Sequence, residues 1–360
     1  MKILVGVSHP KHVYMFKNFI CKMIESGHEV KIAAVEREGI TEYLLKRFNL
    51  PYELIGETQS GIFRKALCLP KWDYITFKIA KKFRPDIYIG QAHVNLAHVT
   101  TLLRKPFILF EDTESATVLQ RLCLPFTDVV VTPSCYKCDF GRKHLRFNGY
   151  YELAYLHPNY FKPDPAVLDE LGLSKDDRFI ILRFASWDAL HDIGQHGFNF
   201  KNEQELSSFV SKLENYGVIF IQSEKKLSSK FEEYVLPKIN DFHSLLYYAS
   251  LYIGEGATAA CEAGALGTPW IFVSTTSRGY LDDQQNNYGL GYVIPDSKLV
   301  MKKTFELVEK KDLRGEWKRK REKLLNEKID VTKFMIWFIE KYPEGFEIMK
   351  ENPEYQARFR

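Results

Sequence analysis

Short apolar runs alternate with amphipathic stretches along almost the whole chain. KILVGV (2–7) is apolar and stops at the polar loop SHPKH. A helical pattern then runs to about Ser26, where Gly27 ends it, and EVKIAAV is apolar again. IYIG (87–90), FILFED (107–112) and DVVVT (128–132) continue the rhythm, with helical stretches such as LAHVTTLLRK between them. Such short Val/Ile-rich runs, separated by helices, predict a parallel sheet covered by helices on both faces. LHPNYFKPDPAV (156–167) carries three prolines and breaks the rhythm as a linker does. Beyond it, RFIILRF (178–184), GVIFIQ (217–222), LYIG (251–254), WIFV (270–273) and GYVI (291–294) predict a second set of strands. Helices are expected near 203–215, 242–249 and 258–266, and two more from EWKRKREKLLNEK and DVTKFMIWFIEKY. The expected fold class is α/β, with two doubly wound, Rossmann-like parallel-sheet domains at 1–157 and 158–330. The helical segment 331–360 is free to cross back to the first. Ligand is expected in the cleft between such domains, at the carboxyl ends of the strands.

Composition narrows the classes. A chain of 360 residues suits two domains, and 45% hydrophobic with 27% charged residues is ordinary for a globular protein. A net charge of +4 is too mild to imply nucleic acid. No apolar run approaches the roughly 20 residues of a membrane span, and the N-terminus lacks signal-peptide features. Six scattered cysteines suit a reducing compartment, so a cytoplasmic protein is expected. CYKC (135–138) is a lone CxxC, expected as two buried thiols on a helix rather than a zinc or redox site. FRKALCLPKWDYITFKIAKKFR (63–84) mixes basic and aromatic residues. It is expected as a solvated helix with a core-facing stripe; the alternative is a weak peripheral contact with an anionic membrane, near a lipid-linked acceptor.

The richest stretch is GEGATAACEAGALGTP (254–269), where one carboxylate, Glu262, sits among small residues. A Gly-Glu-Gly turn after a strand lets the backbone approach a ligand. Thr258 is placed to cap the helix that follows, and the helix N-terminus is an anion site suited to a diphosphate. Glu262 lies one turn on, on the same face, placed for the hydroxyls of a neighbouring ribose. An ordinary N-cap followed by a solvated Glu fits these residues equally well.

LYIGEGATAACEAGALGTPWIFV resembles the donor-nucleotide segment of GT-B glycosyltransferases and the matching segment of the non-hydrolysing UDP-GlcNAc 2-epimerases. That resemblance implies ribose binding by Glu262 and diphosphate contact at Gly256, Ala257 and Thr258. YLDDQQNN is similar to the paired glutamines that hold the donor sugar in the GlcNAc transferase of peptidoglycan synthesis, which implies sugar contact by Gln284 and Gln285. FEDTESA, NGYYELAYLHPNYFKPD, LRFASWDALHDIGQHGF and HSLLYYASLYIGEGATAACEAGALGTP together resemble an uncharacterised, mainly archaeal GT-B-like family, domain of unknown function 354.

The remaining candidates are read beside this. His12, after the first strand, is an acceptor-activating base by resemblance to GT-B transferases, with capping of the first helix as its alternative. FEDTES places Glu111, Asp112 and Glu114 at a strand's carboxyl end; Glu111 and Glu114 are taken as catalytic candidates. The epimerase acid one strand earlier is replaced by His93 and Asn95 in QAHVN, which argues against epimerisation. Arg183 and Ser186 are expected to stabilise a departing diphosphate. Asp188, His191, Asp192 and His196 are dense but fit no standard zinc spacing, so no metal is expected. His243 is a candidate neighbour of the nucleotide base, or a core or capping histidine. The function expected is transfer of a sugar from a UDP-sugar substrate, with no further cofactor, to an unidentified acceptor. The alternatives are a UDP-GlcNAc 2-epimerase or hydrolase, and a non-catalytic nucleotide-sugar-binding protein.

Overall fold

The structure is a computed structural model that describes the chain apart from residues 59–61, 116, 186–196, 201 and 225–226, and apart from the side chains of 62–66. It divides into two compact units, Met1–Tyr155 with Ile329–Arg360, and Leu156–Lys328.

The first unit is built on seven parallel strands: β1 (Lys2–Val7), β2 (Glu29–Glu36), β3 (Tyr52–Glu57), β4 (Ile87–Gly90), β5 (Phe107–Phe110), β6 (Val129–Pro133) and β7 (His144–Phe147). Their order is β3-β2-β1-β4-β5-β6-β7. The chain winds outward from β1 to β3, then crosses to the other side of β1 to lay down β4. The β1/β4 boundary is therefore the switch point, where a crevice opens beyond the carboxyl ends. Ile3, Leu4, Val5, Ile89, Phe107 and Phe110 are fully buried, as a sheet covered on both faces demands.

The two outer strands had no strong apolar signal. β3 buries only Ile55 and faces solvent elsewhere, and β7 is four residues, HLRF, ending the sheet. The helix Ile62–Phe83 packs Trp72, Ile79 and Ala80 into the core beside Leu4, Tyr88 and Phe107, and leaves Lys71, Lys78, Lys81 and Lys82 exposed. CYKC corrects its expectation: it lies in an irregular loop after β6, with Cys138 exposed and Cys135 half-buried. The C-terminal segment returns to this unit. The Ile329 N–H donates to the Asn148 carbonyl at 2.9 Å and Thr332 Oγ1 to the Ala154 carbonyl at 2.8 Å, while Phe334 stacks on Phe147.

The second unit has five parallel strands: β8 (Phe179–Phe184), β9 (Val218–Ser223), β10 (Leu251–Gly254), β11 (Trp270–Phe272) and β12 (Gly291–Val293), in the order β12-β11-β10-β8-β9. Here the switch point falls between β8 and β10. The residues at that boundary are Arg183 and Gly254, directly paired across the ladder.

Candidate functional site

In the second unit, β10 ends at Gly254 and the chain turns into the helix Ala257–Leu266. Gly254 has no room for a side chain: an added Cβ would lie 2.7 Å from the Tyr252 hydroxyl and 2.8 Å from Arg183 Cβ. Gly256, not Thr258, is the N-cap, and no side chain caps this helix. Thr258 stands instead at its second position. The helix N-terminus is therefore half-exposed and served by no capping side chain, with its positive end at the switch point.

Glu262, one turn further, is only 7% exposed. His243 donates from Nε2 to Glu262 Oε1 at 3.0 Å. His243 sits near the start of the helix Phe242–Tyr248, whose cap Asp241 accepts from the Ser244 N–H, and its ring meets Phe161 edge-on. Arg183, at the end of β8, donates from Nη2 to Glu224 Oε1 at 3.1 Å, and its buried Nε has no partner among the described residues. Glu255 ties two chain segments together: its carboxylate accepts from the Ala185 N–H at 2.6 Å and the Phe198 N–H at 2.7 Å. Ser186, with Asp188, His191, Asp192 and His196, lies outside the described residues.

The glutamine pair is corrected in part. Gln284 is fully buried and spends both ends of its amide inside the domain. Its Oε1 accepts from Trp270 Nε1 at 2.9 Å and its Nε2 donates to the Cys261 carbonyl at 3.0 Å. It therefore braces helix against strand and has no face for a sugar. Gln285 is half-buried and accepts from the Val293 N–H at 2.7 Å.

In the first unit, the loops after β1, β4 and β5 bring charged groups together below the surface. His9 caps the helix Pro10–Glu25, accepting from the Lys11 N–H, so capping falls to His9 and not to His12. His12 is buried, and its Nδ1 accepts from the Ser8 N–H at 3.3 Å. A backbone N–H is a fixed donor, so the neutral ring carries its proton on Nε2 and presents a donor. Burial holds its pKa well below the ordinary histidine value, with the charges of His9 and Lys11 adding to the effect. This tautomer makes His12 a hydrogen-bond donor rather than the expected base.

Lys11 forms an ion pair with Asp112 and lies 3.3 Å from Glu152 Oε1. Gln91 donates to Asp112 Oδ1 at 2.5 Å and Thr113 Oγ1 donates to it at 2.9 Å. Glu111, 1% exposed, accepts at Oε1 from the N–H groups of Asp112 and Thr113, at 2.9 and 2.8 Å. Its Oε2 is buried with no hydrogen-bond partner among the described residues. Burial, with the charge of Asp112 beside it, pushes this carboxyl up to about 7. Glu114 is half-buried and accepts from the Lys137 N–H at 3.3 Å, turned toward the CYKC loop. His93 at the end of β4 is buried and held down to about 4 by desolvation, so it stays neutral at physiological pH.

Lys11, Gln91 and Glu152 were not singled out from the sequence. Glu152 gave the same signal as Glu262, an acid inside an otherwise apolar run, NGYYELAYL. Among the described residues no cluster of His, Cys, Asp and Glu could hold a metal ion, and no helix is long and apolar enough to cross a membrane.

Known proteins share this architecture. The UDP-GlcNAc 2-epimerase of Methanocaldococcus jannaschii superposes with a TM-score of 0.62 at 14% identity, over 86% of this chain and 94% of its own. The Neisseria meningitidis UDP-GlcNAc 2-epimerase bound to UDP-GlcNAc gives 0.62 at 11%, over 95% and 100%. The glycosyltransferase SsfS6 of Streptomyces sp. SF2575, complexed with thymidine diphosphate, gives 0.59 at 12%, over 95% and 99%. These likenesses show the fold, two parallel-sheet α/β domains of the GT-B kind. By sequence, an uncharacterised protein of Methanocaldococcus jannaschii is 22% identical over 285 residues, 75% of this chain and 81% of that protein. The family model described as "Protein of unknown function (DUF354)" matches residues 1–340, and the chain belongs to that family.

Proposed function

We propose that this chain binds a nucleoside diphosphate sugar through its second unit and transfers the sugar to an acceptor hydroxyl. The observation that carries the reading is Glu262, a buried carboxylate fixed by His243 one turn below an uncapped helix N-terminus at a switch point. The helix N–H groups and Arg183 suit a diphosphate, and a fixed carboxylate suits a vicinal diol. Structural neighbours carrying thymidine diphosphate or UDP-GlcNAc support this choice of ligand. In the first unit, Glu111 is the group suited to take a proton from an attacking hydroxyl. Its pKa of about 7 matches neutral pH, and Oε2 has no partner among the described residues. Lys11 is occupied by Asp112 and Glu152, and His12 offers a donor to an oxygen of sugar or phosphate.

The same Glu111 favours a second reading, proton transfer on the sugar itself, as in 2-epimerisation. Incubation with UDP-GlcNAc alone, followed by NMR in deuterated water, separates the two. A transferase leaves the nucleotide sugar intact and its C2 proton unexchanged. Exchange at C2, or appearance of UDP-ManNAc, establishes the second reading. If no nucleoside diphosphate or its sugar shifts the melting temperature, both are lost.

A further inference from the structure

One corner of the first unit carries an apolar surface that the nucleotide reading does not use. The helices Val94–Leu103 and Thr117–Cys123 pack against each other and against the turn Leu124–Phe126. Their inner faces enter the core through Leu96, Val99 and Cys123. Their outer faces leave Leu102 72%, Val118 54%, Leu119 39% and Leu122 40% exposed. Isolated exposed aliphatic residues are ordinary, whereas four on two neighbouring helices form a patch that asks for an occupant.

The surroundings indicate which. Arg104, Lys105, Arg121, Arg142 and Lys143 stand on the segments that frame this corner, and all five are exposed. Arg104, Lys105 and Lys143, with Thr100, Phe126 and Asp128, line a depression of about 430 Å³ there. Lys143 Nζ reaches the Thr127 carbonyl at 2.5 Å, a neutral acceptor that leaves its charge uncompensated. Asp128 is the acid in that lining; its carboxylate accepts from the Phe107 N–H at 2.8 Å and keeps its charge, one acid against the three cations Arg104, Lys105 and Lys143. Complementing the C-terminal end of a helix accounts for Arg104 and Lys105 but not for exposed leucines beside them.

We propose that this corner is a docking face for an anionic lipid surface, with Leu102, Val118, Leu119 and Leu122 entering the interface and the cations meeting lipid phosphates. Aliphatic side chains ringed by Lys and Arg are the composition that such a surface selects. A second copy seated face to face would bring the same five cations against one another. A nucleic acid would find no exposed aromatic platform in the patch. Leu102, Arg104 and Lys105 lie just before the amino end of β5 and Leu122 approaches that of β6, while Glu111 and Asp112 follow the carboxyl end of β5. The helix Ile62–Phe83, the sequence candidate for such a contact, has its main apolar stripe in the core.

Flotation of the full chain with phosphatidylcholine vesicles, with and without phosphatidylglycerol, tests this. Co-flotation is expected only with phosphatidylglycerol, and it should weaken as added salt shortens the screening length. Each cation near such a surface is worth about fivefold in partitioning, so Arg104→Gln/Lys105→Gln should reduce it about twenty-fivefold. Leu102→Ser/Leu122→Ser should reduce it comparably, and these exposed positions should leave both variants melting like the wild type. No flotation, equal flotation on neutral vesicles, or variants that float like the wild type would overturn the proposal. So would a dimer in light scattering that Leu102→Ser/Leu122→Ser dissolves, which would make a second copy the occupant.

Discussion

A carboxylate inside a helix of alanines and glycines is costly unless something holds it. Taking an ionised group out of water costs several kcal/mol if it is left alone. Glu262 is held by His243 at 3.0 Å, on a neighbouring helix that Asp241 caps. The pair fixes the direction of Oε1, and a fixed acceptor suits a ribose better than a mobile one does. If Glu262 receives the ribose hydroxyls, Glu262→Ala loses charge-assisted hydrogen bonds worth roughly 1.5–3 kcal/mol, about tenfold to a hundredfold in UDP affinity. His243→Ala keeps the carboxylate and loses its positioning, so a smaller loss is expected. Calorimetry with UDP and 2′-deoxy-UDP gives the sharper reading. The wild type should prefer UDP, and Glu262→Ala should nearly erase that preference. A Glu262→Ala protein that binds UDP normally and still discriminates would place the nucleotide elsewhere.

At the scale of elements, the strands that carry the chemistry were legible because they are buried on both faces and read as unbroken apolar runs. β1, β4, β5, β8 and β10 all fall where apolar patterning puts them. β3 and β7 were not legible because strands at a sheet's margin keep polar side chains, as YELIGE and HLRF do. Site residues split in the same way. An acid in an apolar run announced Glu262, but the cap at Gly256 and the inward turn of Gln284 depend on packing that periodicity does not encode. That packing is testable at Gly264, inside the helix Ala257–Leu266. A Cβ there would meet the Gln284 side-chain oxygen and come within 2.8 Å of Trp270 Nε1. Helix propensity alone would make Gly264→Ala stabilising by about 1 kcal/mol. Overpacking against the Trp270–Gln284 bond should reverse the sign, for a net loss of about 1–3 kcal/mol in denaturant unfolding. A stabilised Gly264→Ala protein would show that Gln284 is free to move, and would restore it as a candidate sugar contact.

At the scale of the molecule, both sheets keep their candidate chemistry at a switch point, and the first stores several buried groups whose charge states differ from those in the unfolded chain. His12 and His144 are lowered by burial, and His93 is held near 4. Each binds a proton below 6.5 when unfolded and stays neutral further into acid when folded. Their contribution is therefore present above 6.5 and lost as pH falls. Glu111 acts in the opposite sense. Its folded carboxyl holds a proton up to about 7 against an ordinary 4.5, so its contribution is full below 4.5 and lost as pH rises through 7. Between 4.5 and 6.5 the histidines outnumber the one carboxyl, and stability should rise with pH. At 6.5 the unfolded histidines are still half protonated, and they are neutral in both states only about a unit higher, where Glu111 alone remains. From 6.5 to 8 the Glu111 loss of about 1 kcal/mol is therefore offset by the last of the histidine gain, and stability should change little. Thermal melting across this range should rise through the acid limb and level off between pH 6.5 and 8. Glu111→Gln should keep the acid limb and go on rising above pH 6, gaining about 1 kcal/mol on the wild type by pH 8. If the wild type and Glu111→Gln melt in parallel from pH 6 to 8, the folded Glu111 titrates well below 7, and the match to neutral pH that recommends it as the base is lost.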